Sequence, residues 1–88
     1  MKIKNGFIAR KVGANRMVVA TGAKSKTFGG VMRLNESGAL LWDELVAGAD
    51  REALIAKVLD TYDIDRVTAE ADVDSFIVTL REAGILDE

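Results

Sequence analysis

The chain has 88 residues, 49% hydrophobic and 30% charged, with no proline, cysteine or histidine and a formal net charge of −2. This is the profile of a folded protein with one modest core, so residues 1–88 are expected to form a single domain. It excludes a disulfide framework and thiolate ligands, and it removes histidine as general base or metal ligand. No apolar stretch approaches the roughly 18 residues needed to cross a bilayer, and Met1 to Phe7 hold no signal-length apolar run, so a cytoplasmic protein with no membrane contact is expected.

The net charge hides a division along the chain. Residues 1–34 carry Lys2, Lys4, Arg10, Lys11, Arg16, Lys24, Lys26 and Arg33 and no acid, a net +8. Residues 35–88 carry Arg51, Lys57, Arg66 and Arg81 against all fourteen acids, a net −10. If the halves stay apart in the fold, one surface is basic and another acidic, which orients encounters with charged partners; two solvated faces are the plainer alternative.

Hydrophobic periodicity changes near residue 35, from short alternating runs to apolar residues three and four apart. Phe7 to Val12 and Arg16 to Thr21 read as strands of a hairpin closed by the three residues Gly13-Ala14-Asn15. A polar loop, Gly22 to Thr27, leads to Phe28-Gly-Gly-Val-Met-Arg-Leu34, a third strand with Phe28, Met32 and Leu34 on one side. The second strand is expected at the centre of the meander. Asn35 is placed to cap a first helix whose apolar side is Leu41, Trp42, Leu45 and Val46, with Gly48 as its end. Asp50 caps a second helix carrying Leu54, Ile55, Val58, Leu59 and Tyr62 at helical spacing. The third helix runs from about Arg66 to Ala83 with Asp65 as cap and Gly84 as stop, and Ile85 and Leu86 fold back as an apolar contact. The fold class is α+β: a three-stranded antiparallel sheet followed by three helices.

Catalytic patterns are missing. Asp60, Asp63 and Asp65 have part of an EF-hand spacing but lack its glycine and terminal glutamate, and they read as cap and turn residues. Gly22-Ala-Lys-Ser-Lys-Thr27 lacks the second glycine of a phosphate loop and opens no helix. Ser25, Ser37 and Ser75 have neither a partner base nor a nucleophile elbow. The expectation is a protein without catalytic residues, cofactor or metal.

The run Met32-Arg-Leu-Asn-Glu-Ser-Gly-Ala-Leu-Leu-Trp42, a following acid-capped helix, and Asp72-Val-x-x-Phe76-Ile-x-x-Leu80-x-x-x-Gly84-Ile-Leu86 resemble the PqqD family. They also resemble the wider group of RiPP recognition elements, the peptide-binding domains of ribosomal peptide biosynthesis. The likeness covers nearly the whole chain; each half is loose alone, and both at family spacing behind three strands are more specific. What it implies is a winged-helix-like domain that holds a precursor's leader peptide in a groove between the third strand and the third helix. The implied partner is a modifying enzyme, such as a radical S-adenosylmethionine protein or a lasso-peptide protease or cyclase.

The residues offer two walls for such a groove. The expected third strand is a lightly defended edge: it has no proline, Arg33 is its one charge, and Gly29 and Gly30 admit another backbone. Phe28, Gly29, Gly30, Val31, Met32 and Arg33 would receive an added strand, whose main-chain bonds give affinity while neighbouring pockets choose side chains. The two glycines could equally form a bulge. On the third helix, at 100° per residue, Val73, Phe76, Ile77, Leu80 and Gly84 form the core-facing stripe. Val67, Ala71 and Val78 make a second line, with Asp74 and Arg81 close by, and this is the candidate second wall unless the sheet or a loop covers it. Trp42 and Phe76 are assigned to the core.

Two other readings stay open. A winged helix also suits DNA, but Glu70, Asp72, Asp74 and Glu82 would bring negative charge to phosphate on the reading helix, so no nucleic-acid partner is expected. The edge strand could also pair with its own copy, making the protein a dimerisation module.

Overall fold

The computed structural model describes residues 1–22 and 32–88. Along the chain these form β1 (Lys2–Ile3), β2 (Phe7–Val12), β3 (Asn15–Ala20), β4 (Met32–Leu34), α1 (Glu36–Ala47), α2 (Arg51–Thr61), α3 (Arg66–Glu82) and β5 (Leu86–Asp87). Strands β2, β3 and β4 make an antiparallel sheet with β3 in the centre, and β1 and β5 make a separate antiparallel pair. The architecture is α+β, three antiparallel strands followed by three helices, as the change of periodicity predicts.

The sheet follows from two-residue alternation. Phe7, Val18 and Leu34 are buried on its inner face, with Ala9, Ala20 and Met32 packed beside them. Ile8 and Val12 point the other way and stay exposed. The hairpin is tighter than the sequence suggests: Val12 pairs with Asn15, leaving a two-residue turn of Gly13 and Ala14. Gly13 has φ +63° and no non-glycine residue among those described has positive φ, the pattern of a type II′ turn, whose twist matches the strands it joins. Asn15 is therefore the first residue of β3.

Each helix begins at a side-chain cap. Asn35, Asp50 and Asp65 accept hydrogen bonds from the backbone N–H of Gly38, Ala53 and Thr68, each at 2.8 Å. The cap accounts for the carboxyl of Asp65 lying below its ordinary pKa, since its hydrogen bonds to Thr68 favour the charged form. Helix α1 stops at Gly48, φ +100°. Helix α3 closes through two bonds, Gly84 N–H to the Arg81 carbonyl at 3.1 Å and Ile85 N–H to the Leu80 carbonyl at 3.0 Å. That is the Schellman pattern, with buried Leu80 and Ile85 as its apolar pair.

The core lies between the inner sheet face and the three helices: Leu41, Trp42 and Leu45 from α1, Leu54, Ile55 and Val58 from α2, Ala69, Val73, Ile77 and Leu80 from α3, and then Ile85 and Leu86. Val46, Gly84 and Phe76, all expected there, are outside it. Val46 is exposed because it stands a further 100° round α1 from Leu45, and Gly84 is exposed as the αL residue that ends α3. The fold-back of Ile85 and Leu86 is more ordered than an apolar contact, because Leu86 pairs with Ile3 and the Lys4 N–H donates to the Ile85 carbonyl at 2.8 Å. The Ala49 N–H donates to the Met1 carbonyl at 3.0 Å, tying the first strand to the end of α1.

Candidate functional site

A cleft of about 1050 Å³ opens beside β4. Met32, Arg33 and Leu34 form one side, with Ala14, Asn15 and Arg16 of the hairpin at one end. The first turn of α1, Asn35 to Ala39, lies along the floor, where buried Leu41 and Val58 also reach the surface of the cleft. The opposite wall is α3, through Asp72, Ser75, Phe76 and Thr79. These four are spaced i, i+3, i+4 and i+7, one line along a helix.

β4 pairs with β3 on one side and has no strand on its other side among the described residues, so its backbone groups there are open to a new strand. Gly38 keeps the floor low. A Cβ at that position would sit 3.0 Å from Asn35 Oδ1, 3.4 Å from Phe76 Cε1 and 3.6 Å from Leu34 Cδ2, at the junction of cap, helix wall and strand.

The hairpin end is basic but partly neutralised. Both terminal nitrogens of Arg16 donate to the carboxylate of Asp43, at 2.8 Å each, a fork that fastens β3 to α1. This bond holds the Asp43 carboxyl below its ordinary pKa and raises that of the guanidinium. Arg33 donates to Asn15 Oδ1 at 2.8 Å and has no carboxylate partner among the described residues.

At its other end the cleft runs into a smaller pocket of about 310 Å³. Val58, Tyr62 and Ile64 line it together with Asn35, Glu36, Ser37 and Asp72. Asn35, Glu36, Ser37, Val58 and Asp72 line both hollows, so the two are continuous.

The structure brings together only part of the sequence-derived site. Met32 and Arg33 lie on the cleft; Phe28, Gly29, Gly30 and Val31 are outside the described residues, as are Lys24 and Lys26. Val67, Ala71, Asp74, Val78 and Arg81 do not line the cleft. Val67 is 74% and Val78 44% exposed on another face of α3. Asp74 is held by Arg51 at 2.7 and 3.0 Å, and Arg81 by Glu88 at 2.8 and 2.6 Å. The helix wall is therefore the polar and aromatic line from Asp72 to Thr79, which a search for a second apolar stripe passes over. Phe76, expected in the core, is half-buried and faces the cleft, whereas Trp42 is a core residue at 2% exposure.

Among the described residues, no cluster of acidic side chains has a metal-binding arrangement. No helix among them is long and apolar enough to cross a membrane.

An α+β fold with a strand edge along a cleft, unpaired among the described residues, is a scaffold suited to receiving an extended chain. Residues 16–86 match the model of the family described as coenzyme PQQ synthesis protein D, and the chain belongs to that PqqD family. Among solved structures it is similar to TbiB1 in complex with the TbiA(beta) leader peptide, at 23% identity and a TM-score of 0.82, over 99% of this chain and 95% of that one. It is also similar to a lasso peptide synthetase B1 complexed with the leader peptide, at 18% identity and a TM-score of 0.78, over 96% and 93%. No curated protein sequence matches significantly.

Proposed function

We propose that this protein binds the leader segment of a ribosomally made precursor peptide and presents it to a separate modifying enzyme. The observation that carries this reading is the edge of β4, which has no second strand partner among the described residues and runs along a cleft walled by α3. A leader entering in extended form adds a strand to β4, with main-chain bonds supplying affinity and the cleft accepting alternate side chains. The two similar solved structures support it, since both were captured with leader peptides. On this reading residues 1–88 act as one recognition domain without a chemical step of their own. The modifying enzyme, of the radical S-adenosylmethionine or lasso protease and cyclase kind, supplies the reaction in the cytoplasm.

Within the site, Met32 and Arg33 belong to the receiving edge, and Phe28 to Val31 extend it on the grounds of the sequence. Asp72, Ser75, Phe76 and Thr79 form the facing wall. The outer line of Val67, Ala71, Asp74, Val78 and Arg81 is the rival contact surface. The test is amide chemical-shift mapping with the leader peptide of a candidate precursor. Shifts concentrated at Met32 to Leu34 and Asp72 to Thr79 are expected. Shifts at the Gly13 turn and α2 instead would overturn the assignment. Growth in particle size with protein concentration, without peptide, would mean that β4 pairs with its own copy.

A further inference from the structure

The pocket at the far end of the cleft has an apolar floor and an acidic rim. Val58 is buried there, and Tyr62 and Ile64 are half-buried. Glu36, in the first turn of α1, and Asp72, on α3, are exposed at the point where this pocket joins the cleft. Neither has an ion-pair partner among the described residues, unlike Asp43, Glu44, Glu52, Glu70 and Asp74. Arg51 and Arg66 engage Glu52, Glu70 and Asp74, Arg16 engages Asp43, Lys57 engages Glu44 and Arg81 engages Glu88. Among the described residues no cation pairs with Glu36 or Asp72, the two carboxylates that line the pocket.

An acidic rim alone would be satisfied by water, and an apolar floor alone would suit any aliphatic side chain. Together they match one kind of group, a long methylene stem ending in a positive charge. Lysine and arginine bury such stems against apolar surface while keeping the head at a polar boundary. Two carboxylates around one head make charge-assisted hydrogen bonds, stronger than neutral ones. The opposite end of the cleft has Arg33 without a carboxylate partner, so the cleft is electrically polar from end to end.

We propose that the pocket of Val58, Tyr62 and Ile64, rimmed by Glu36 and Asp72, receives a lysine or arginine side chain of the bound peptide. The methylenes lie on the apolar floor and the charged head sits between the carboxylates. This rests on the peptide-binding reading above and adds to it a recognised residue type and a fixed position. Because the basic residue anchors one end, the pocket also sets the direction in which the peptide runs along β4.

The experiment pans a random dodecapeptide display library on the 88-residue protein and on its Glu36→Gln, Asp72→Asn double variant. Amide shifts at Met32 to Leu34 identify the selected peptides that occupy the cleft. Wild-type binders should share a lysine or arginine at one position, and the double variant should select cleft binders without it. Replacing that basic residue by alanine should weaken binding to the wild type about fivefold and leave binding to the double variant unchanged. Cleft binders lacking a shared basic residue, or equal losses for both proteins, would overturn the pocket assignment and leave the peptide-binding reading standing. If no selected peptide shifted Met32 to Leu34, both would fall. Should the double variant melt early, Asp72→Asn alone carries the same comparison, since that carboxylate makes no bond to another described residue.

Discussion

The side of α3 that meets α2 and the side that meets the cleft treat charge in opposite ways. Towards α2, Arg51 engages Asp74 and Glu70, and Arg66 engages Glu52 and Glu70. Towards the cleft, Asp72 has no ion-pair partner among the described residues, and Glu36 across from it has none. The same helix thus carries one face whose charge is internally compensated and one whose charge is available. A compensated face fixes the angle between neighbouring helices and offers little to a visitor. An uncompensated face bordered by apolar floor costs little in water and gains when a complementary group arrives.

Substitutions on the two faces should therefore separate binding from stability. The largest effect is expected at Gly38→Leu. The new side chain enters the space held by Asn35, Leu34 and Phe76, and overpacking of this kind costs about 1–3 kcal/mol, read as a lower denaturant midpoint. It should also abolish leader binding by raising the floor. Phe76→Ala comes next: removing a half-buried ring should cost about 2 kcal/mol of stability and more than about tenfold in leader affinity by titration calorimetry. Val78→Asp, on the exposed outer face, should change stability by less than about 0.5 kcal/mol and leave affinity unchanged. A large loss of affinity at Val78, with little at Phe76, would move the peptide from the cleft to the outer face and reverse the comparison.

The smallest effects belong to the paired charges. Asp43 is held below its ordinary pKa by Arg16, so its carboxylate is more stable folded than unfolded. The resulting stability is fully present above the unfolded pKa and is lost as pH falls through the lower folded value, from about pH 4 downward. Both side chains are solvent-accessible, so the pair contributes no more than about 1 kcal/mol once screening is allowed for. Asp43→Asn should flatten the acid limb of a stability profile followed by circular dichroism. Arg51→Ala should leave leader affinity unchanged and show only a slight, salt-sensitive fall in melting temperature.

Legibility from the sequence followed the range of each interaction. The caps Asn35, Asp50 and Asp65 and the stops Gly48 and Gly84 act within one helical turn, and all five stand where local chemistry places them. The hairpin was readable except for its loop length, because Asn15 suits a turn and the end of a strand equally. The pairing of β1 with β5 joins residues more than eighty positions apart through two-residue strands, too short to show any alternation. The cleft wall was lost for another reason. Periodicity separates the core stripe of α3 from its remaining surface, but which part of that surface looks at β4 depends on how the helix crosses the sheet. Val67, Ala71 and Val78 were conspicuous because they are apolar, while Asp72, Ser75 and Thr79 look like ordinary solvent residues.

The short β1–β5 pair also sets how the domain answers a pull. Lys2 lies opposite Asp87 and Ile3 opposite Leu86, so residues 1 and 88 lie at the same end of the ladder. Tension applied between them loads the pair across its ladder, opening one rung after another as in a zipper. A pair sheared along its length would have to break its rungs together. Tethering between two heavier bodies would thus first peel away β1 and β5, with Ile85 drawn after them from its place under α3. The β2–β3–β4 sheet and the cleft lie further along the line of force and would yield later.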